Sequence, residues 1–151
     1  MRILVLSDSH GNSARMRALY RDGNWNAVIF LGDGSRDADE LADITGGIPV
    51  YRVKGNCDMF MCDAPEIQYI FLGGKKIMLT HGHLYSVKSG LMRLSLAARE
   101  QGADAVLFGH THNQFIDESE NLLILNPGSI AAGCYATLEI GERIKATLCR
   151  I

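Results

Sequence analysis

The stretch RILVLSDSHGN, residues 2–12, decides how the rest of the chain is interpreted. It begins with a short apolar run and changes abruptly to a polar group that contains Asp8 and His10. An apolar run of this length that stops at polar residues is typical of a buried strand entering a loop. The stretch therefore predicts a core strand with a carboxylate and an imidazole at its carboxyl end.

The same arrangement recurs twice in the first third of the chain. AVIFL (27–31) is followed by GDGS, and PVYRV (49–53) is followed by GNCD. Helical signals lie between these runs, so the order favours parallel strands joined by helical crossovers. Ligand sites in open α/β sheets lie beyond the carboxyl ends of the strands, which is where these polar groups fall. Within GNCD, Asn56 and Asp58 either form a simple turn or face something bound there.

The helical segments are predicted from their ends and from apolar spacing. Asn12 is a candidate N-cap and Gly23 a candidate stop for the first helix, and Ser35 or Asp37 is a candidate cap for the second. A third helix is predicted over residues 86–101. The residues predicted to face inward are Ala14, Ala18, Leu19, Ala38, Leu41, Ala42, Val87, Leu91, Leu94 and Ala98.

The second half of the chain is richer in strand signals. IQYIFL (67–72) and KKIMLT (75–80) flank a Gly-Gly pair, which predicts a hairpin that runs into HGH. DAVLF (104–108) predicts another buried strand, which ends at GHTH, and short strand-like runs follow it. Because no repeat, low-complexity segment or linker interrupts the pattern, residues 1–151 are predicted to form a single α/β domain.

Composition excludes several classes of function. The chain has 151 residues, 47% hydrophobic and 21% charged, with a net charge of −2, values typical of one ordinary globular domain. Without a run of lysine or arginine, no bulk nucleic-acid binding is expected. The apolar stretch ILVL is too short for a membrane span, so the cytoplasm is the expected compartment and no membrane partner is predicted. Four scattered cysteines predict reduced thiols, mostly small buried groups.

All five histidines lie in the predicted strand-end clusters, which indicates a metal site. Nitrogen and oxygen ligands without a thiolate pair suit Mn²⁺, Fe²⁺, Co²⁺, Ni²⁺ or Zn²⁺. The candidates are too many for one ion but suffice for two ions about 3.5–4 Å apart that share a carboxylate. In DSH and GHTH the polar residues are two apart, so they face the same way if the backbone stays extended. The candidate ligands are Asp8, His10, Asp33, Asn56, His81, His83, His110 and His112.

The ordered motifs DSH, GD, GNCD, HGH and GHTH resemble the signature of the calcineurin-like metallophosphoesterases, which is DxH, GD, GN-[H/C]-[D/E], H and GHxH. The resemblance runs from Asp8 to His112. The short length and the NPGS turn at 126–129 resemble the small bacterial and archaeal phosphodiesterase group of that family. The resemblance implies a fold of two packed mixed β-sheets flanked by helices, an α/β/β/α sandwich.

The resemblance also implies a role for each candidate ligand. Asp33 would bridge two ions, and His81 rather than His83 would be a ligand. For His83, a role in orienting His81, contact with substrate and a simple loop position all stay open. Asp8 and Asp33 have an alternative as helix N-caps. The implied first-metal ligands are Asp8, His10 and His112, and the implied second-metal ligands are Asn56, His81 and His110.

These features predict a dinuclear metal-dependent phosphoesterase, with a phosphodiesterase favoured and Mn²⁺ favoured among the metals. A metal-bridging hydroxide would attack phosphorus, because two cations lower the pKa of bound water from 15.7 to near 7. Asn56 would both ligate a metal and donate to a phosphate oxygen. Departure of the leaving group would depend on water, on His10 or His83, or on an intrinsically good leaving group. Many relatives carry histidine where this chain has Cys57, and that histidine protonates the leaving oxygen. For the thiol, a small buried apolar group is favoured over an acid.

Two alternatives remain at this stage. One is a protein-interaction scaffold of the same fold, as in a subunit of the retromer complex. The other is a phosphomonoesterase or a nucleotide hydrolase, because no aromatic cage or basic clamp reveals the substrate. The expected partner is a small-molecule phosphate ester, and neither the substrate nor the oligomeric state can be read from the sequence.

Overall fold

The computed structural model describes residues 1–58 and 62–151. Its strands are β1 (Arg2–Leu6), β2 (Ala27–Phe30), β3 (Val50–Arg52), β4 (Ile67–Leu72), β5 (Lys75–Thr80), β6 (Ala105–Leu107), β7 (Gln114–Ser119), β8 (Leu122–Pro127), β9 (Cys134–Ile140) and β10 (Ile144–Arg150). Its α-helices are α1 (Ser13–Asp22), α2 (Ser35–Ala42) and α3 (Met92–Glu100), and short 3₁₀ helices span His83–Tyr85 and Ile130–Ala132.

The strands form two mixed five-stranded sheets. The first has the order β10-β9-β1-β2-β3, in which β1, β2 and β3 are parallel and β9 and β10 are antiparallel to their neighbours. The second has the order β4-β5-β6-β8-β7, in which β5, β6 and β8 are parallel and the edge strands β4 and β7 are antiparallel. The predicted hairpin over 67–80 is confirmed.

The sheets pack face to face and the helices cover their outer faces. On β1, Ile3 and Val5 point between the sheets, while Leu4 and Leu6 point toward the layer that contains α1 and α2. On β6, Leu107 lies between the sheets and its neighbours face α3. Strands buried on both faces need continuous apolar runs, which is the pattern of the first stretch of the sequence. The predicted sandwich of two mixed sheets flanked by helices is confirmed.

The helix predictions were partly wrong. In α1 the buried residue is Met16, whereas Ala14 and Ala18 are exposed, and in α2 Ala42 is exposed. The third helix begins at Met92 rather than at residue 86, because Ser86 (φ 53°) and Gly90 (φ 146°) have backbone conformations that an α-helix cannot contain. The predicted positions that are buried are Ala38, Leu41, Val87, Leu94 and Ala98.

The loops that follow β1, β2, β3, β5 and β6 meet at one edge of the sandwich. The Asp8 N–H donates to the Gly32 carbonyl at 3.0 Å, and the Gly109 N–H donates to the His81 carbonyl at 3.0 Å. The Ile130 N–H donates to the Ser7 carbonyl at 2.9 Å and ties the turn after β8 to the same edge. Within the described ranges, no helix has the length and apolar character needed to cross a membrane.

Candidate metal centre

The first cluster of candidate ligands joins the loop after β1 to the loop after β6. Asp8, His10 and His112 each offer a ligand atom, and these atoms lie within 4.8 Å of one another. Asp8 Oδ1 is 3.1 Å from His112 Nε2 and 3.9 Å from His10 Nε2, and the two imidazole nitrogens are 3.4 Å apart. Asp8 is fully buried while both histidines are exposed, so the cluster has a buried carboxyl group at its floor and an open rim.

The second cluster lies deeper in the sandwich. Asp33, His81 and His110 also have ligand atoms within 4.8 Å of one another. His81 Nε2 is 3.2 Å from Asp33 Oδ2, and both residues are buried. The His81 and His110 rings meet edge to face with centroids 5.0 Å apart. Three strand ends, those of β2, β5 and β6, therefore supply one compact group of nitrogen and oxygen ligands.

The two clusters adjoin through a pair of unsatisfied atoms. His81 Nε2 of the second cluster is 3.9 Å from Asp8 Oδ1 of the first. Both atoms are buried and neither has a hydrogen-bond partner. The other ring nitrogen of His81, Nδ1, is 2.7 Å from the Leu31 carbonyl and therefore carries the proton, which leaves the Nε2 lone pair directed at the carboxylates. Buried polar atoms without partners are rare, and this pair fits divalent cations.

Each carboxylate is anchored by one oxygen and offers the other. Asp8 Oδ2 accepts hydrogen bonds from Ser7 Oγ at 2.5 Å and from the His110 N–H at 3.1 Å. Asp33 Oδ1 accepts from the Cys57 N–H at 2.8 Å. The remaining oxygens, Asp8 Oδ1 and Asp33 Oδ2, are the ones that face the histidines. This division fixes both carboxyl groups in place before any cation binds.

The ionisable side chains of the metal-free site change one another's pKa values. Burial alone would raise the pKa of Asp33, but the neighbouring His81 ring and the hydrogen bond from the Cys57 N–H lower it well below its usual range. Burial alone would lower the pKa of His81, but Asp33 and Asp8 raise it. Burial lowers the pKa of His83 and of His110, and the neighbouring His81 lowers both further. The site thus combines two buried carboxylates with several imidazole nitrogens, a donor set suited to first-row divalent ions.

The backbone of the ligand loops is left-handed rather than extended. Five candidate ligands have positive φ: 53° at Asp8, 43° at His10, 59° at Asp33, 66° at His110 and 61° at His112. The condition for the polar residues of DSH and GHTH to face the same way, an extended backbone, is therefore not met. The ligands of each motif converge because the chain turns sharply at them, a conformation that non-glycine residues adopt at some energetic cost.

The alternative in which Asp8 and Asp33 cap helices is also wrong. The residues at the N-cap positions are Asn12 for α1 and Gly34 for α2, and neither cap has a side-chain hydrogen bond. Among the described residues, the donors to the two carboxylates are those given above, none of which belongs to the first turn of either helix. Neither carboxylate is therefore used to cap a helix, and both are available as metal ligands.

Two further predicted site residues, Asn56 and His83, lie beside the clusters, and their contacts are with a thiol and with imidazole rings. Asn56 is exposed, and its Nδ2 is 3.5 Å from Cys57 Sγ. The His83 ring is 5.5 Å from the His81 ring and 6.2 Å from the His110 ring, centroid to centroid. His83 is half-buried at the rim of the second cluster. The predicted ligand role of Asn56 and the predicted catalytic roles of Asn56 and His83 stay predictions.

The cysteines are free thiols, but the expectation that they are mostly buried is wrong. Cys134 is buried, Cys62 and Cys149 are half-buried, and Cys57 is exposed. The packing interpretation of Cys57 therefore does not hold. Burial and then the Asp33 carboxylate raise the pKa of the Cys57 thiol, so it is neutral at pH 7.

Residues that support the site were largely missed from the sequence. Asn126 of the NPGS turn is fully buried and donates to the Gly109 carbonyl at 2.9 Å and to Thr111 Oγ1 at 3.0 Å. It therefore holds the GHTH loop in place. Asp37, proposed as a cap, instead accepts from Ser9 Oγ at 2.5 Å and from the Gly11 N–H at 2.8 Å. No spacing rule indicates such contacts between loops that are distant in sequence.

Fold and site together define a two-sheet protein with a candidate metal centre, and comparison with known proteins gives the family. Residues 1–143 match the calcineurin-like phosphoesterase superfamily domain, so the chain belongs to that family. It is 34% identical over 132 residues to the probable metallophosphoesterase YsnB of Bacillus subtilis, covering 86% of this chain and 75% of YsnB.

Solved structures share the whole architecture. The crystal structure of a predicted phosphoesterase from Streptococcus pneumoniae superposes with a TM-score of 0.80 at 31% identity, covering 99% of this chain and 88% of that one. Vps29 of Entamoeba histolytica in complex with Zn²⁺ superposes with a TM-score of 0.79 at 24% identity, covering 99% of both chains. The second likeness shows the fold.

Proposed function

We propose that the chain is a dinuclear metal-dependent phosphodiesterase. The observation that carries the proposal is the pair of adjoining ligand clusters, with the unpartnered buried atoms Asp8 Oδ1 and His81 Nε2 between them. Asp8, His10 and His112 would hold one ion. Asn56, His81 and His110 would hold the other, with Asp33 shared between them. Two divalent cations at this place would supply Lewis acidity toward the phosphoryl oxygens and a bound water of lowered pKa.

The protein residues have separate tasks in this proposal. Ser7 and Cys57 keep the two buried carboxylates fixed through the hydrogen bonds they donate to them. His81 is held in one tautomer by the Leu31 carbonyl. The exposed His10 and His112 leave the rim of the first cluster open to a substrate. The Asn56 amide, which is exposed and neutral, would donate to a phosphate oxygen without adding negative charge.

Electrostatics favour a diester over a monoester. A cavity of about 850 Å³ adjoins His10, Asp33 and Cys57. Its described lining carries five carboxylates and two guanidinium groups. Arg52 pairs with Asp39, which leaves four carboxylates and the guanidinium group of Arg36. A phosphate diester carries one negative charge, whereas a monoester carries close to two near pH 7. Away from the two ions, the remaining carboxylates of this lining repel a monoanion less than a dianion. The cytoplasm remains the proposed compartment.

The proposal is tested by metal-dependent turnover. Purified protein freed of metal by chelation is incubated with bis-p-nitrophenyl phosphate alone and with Mn²⁺, Co²⁺, Ni²⁺ or Zn²⁺. We expect turnover only in the presence of a divalent ion, highest with Mn²⁺, and its loss on addition of chelator. If the protein binds two ions but hydrolyses neither diesters nor monoesters, it is better described as a scaffold of the same fold. If it prefers p-nitrophenyl phosphate, the monoesterase alternative is correct.

The leaving group provides a second prediction. An exposed thiol that is neutral and a weak donor gives little general-acid assistance, which is typically worth about 10²–10⁴-fold. We expect Cys57→Ser to change turnover of an aryl diester less than tenfold, and the wild type to hydrolyse alkyl diesters poorly. Rates over a series of aryl diesters should depend steeply on the leaving-group pKa. A loss of a hundredfold or more in Cys57→Ser, at unchanged metal content, would show that the thiol is catalytic.

A further inference from the structure

Asp58, the last residue of GNCD, accepts four hydrogen bonds from the main chain. Its Oδ2 accepts from the Gly55 N–H at 2.7 Å and from the Asp33 N–H at 2.9 Å. Its Oδ1 accepts from the N–H groups of Gly34 and Ser35, each at 2.9 Å. Two carboxylate oxygens have about four lone-pair positions, so Asp58 has none left for a cation. Although it lies next to the cluster, it is not a metal ligand.

These donors belong to the two loops that carry Asp33 and Asn56. The backbone of Asp33 is left-handed. Gly34 is the N-cap of α2 and Ser35 is its first residue, and main-chain N–H groups at this end lack partners within the helix. Four convergent N–H dipoles repel one another unless an anion lies between them. The negative charge of Asp58 thus stabilises the turn that presents Asp33.

The loop that carries Asn56 also holds Asp33 by its side-chain carboxylate. The N–H of Cys57, the residue next to Asp58, donates to Asp33 Oδ1 at 2.8 Å. The loops are so close that a Cβ on Gly55 would lie 2.1 Å from Asp33 Oδ1. The main-chain nitrogen and the carboxylate of Asp33 are therefore both fixed by the segment 55–58. A displacement of Asp58 would turn Asp33 Oδ2 away from His81, which it faces at 3.2 Å.

We propose that Asp58 is a positioning residue that orients the Asp33 carboxylate for metal binding without touching the metal or the substrate. This inference rests on the proposed function in that Asp33 must hold a divalent ion. It assigns separate tasks within GNCD: Asn56 faces the ligand, Cys57 contacts Asp33 through its main chain, and Asp58 fixes the loop. It also explains why a carboxylate, rather than an amide, suits the fourth position, since an amide would direct N–H groups at two of the four donors.

The test measures metal affinity separately from turnover. Mn²⁺ binding to metal-free wild type, Asp58→Asn and Asp58→Glu is followed by calorimetry, and Co²⁺ absorption spectra are recorded at saturating metal. Supporting contacts of ligating groups are typically worth about 10–100-fold in metal affinity, so we expect Asp58→Asn to weaken Mn²⁺ binding by about that factor. The Co²⁺ spectrum should change, and turnover should recover in part at high Mn²⁺. Asp58→Glu keeps the charge but misplaces it, and should weaken binding about fivefold or more.

The matched control is Asp104→Asn. The Asp104 carboxylate also accepts a main-chain hydrogen bond, from Lys76 at 2.8 Å, but at the amino end of β6, away from the ligand loops. We expect its Mn²⁺ affinity and Co²⁺ spectrum to match the wild type. Wild-type affinity and spectrum in Asp58→Asn, or in Asp58→Glu if the amide variant does not fold, would overturn the inference. Wild-type protein that binds Mn²⁺ but hydrolyses no phosphoester would refute the proposed function while the affinity comparison still decides the role of Asp58.

Discussion

Replacing Asp33 by asparagine should remove metal-dependent turnover while leaving the fold intact. Asparagine tolerates the left-handed backbone at this position and keeps an oxygen that can accept from the Cys57 N–H, but it removes the charge that faces His81. In the proposed function Asp33 holds both ions, and a bound ion contributes several kcal/mol of transition-state stabilisation, so we expect kcat to fall at least about 10³-fold. Turnover of bis-p-nitrophenyl phosphate and bound metal by elemental analysis provide the measurement.

Asp22→Asn is the matched control for that experiment. Asp22 is exposed at the end of α1 and contacts neither ligand cluster. Its variant should retain two bound ions and wild-type kcat. Circular dichroism and thermal unfolding of the metal-free proteins establish that both variants fold. Near-wild-type turnover of Asp33→Asn at limiting metal would show that Asp33 does not hold the ions.

Adding a single methyl group at Gly109 should reduce turnover almost as much as Asp33→Asn does. A Cβ there would lie 2.0 Å from Ser7 Oγ and 2.8 Å from Asp8 Oδ2, the two atoms of the hydrogen bond that anchors Asp8. Because Ser7 and Asp8 are fully buried, neither can move aside without disturbing the core. We expect Gly109→Ala to reduce turnover by about 10² or more through weakened metal binding, and to cost about 1–3 kcal/mol of stability from overpacking.

Gly141→Ala separates this effect from the general cost of replacing glycine. Gly141 lies in the turn between β9 and β10, its φ is not positive, and a Cβ there would meet nothing within 4 Å. We expect its metal content, turnover and unfolding temperature to match the wild type. If Gly109→Ala also binds metal normally, the Ser7–Asp8 hydrogen bond is not needed to orient the carboxylate.

Much of this fold could be predicted because apolar runs and polar strand ends are local features. Continuous burial of Ile3, Leu4, Val5 and Leu6 follows from a strand covered on both faces, and the run in the sequence shows it directly. Helix faces were harder to predict: alanine at 14 and 18 matches a helical period, but the larger Met16 fills the space instead. Small residues carry too little apolar surface to determine which face of a helix turns inward.

The candidate ligands could be predicted for a different reason from their supports. Histidines and carboxylates directly after strands stand out in a sequence, so Asp8, Asp33 and His81 could be predicted as candidate ligands from the sequence alone. Asp58 and Ser7 act through hydrogen bonds to groups that folding brings together, such as the 25-residue separation between Asp58 and Asp33. The resemblance to the phosphoesterase family includes the motif that contains Asp58 but implies no role for this residue. The hydrogen bonds of Asp58 with the loops that carry Asp33 and Asn56 support the positioning role proposed above.

The left-handed backbone at Asp8, His10, Asp33, His110 and His112 means that selection for heat resistance and selection for activity oppose each other in this protein. Each such residue stores about 1 kcal/mol or more that glycine would release, because glycine adopts positive φ without steric strain. A library screened only for survival at high temperature would therefore favour glycine at the exposed His10 and His112 and lose candidate ligands step by step. Thermostable variants that still work have to be sought in the helices and outer strands, with the five loop positions held constant.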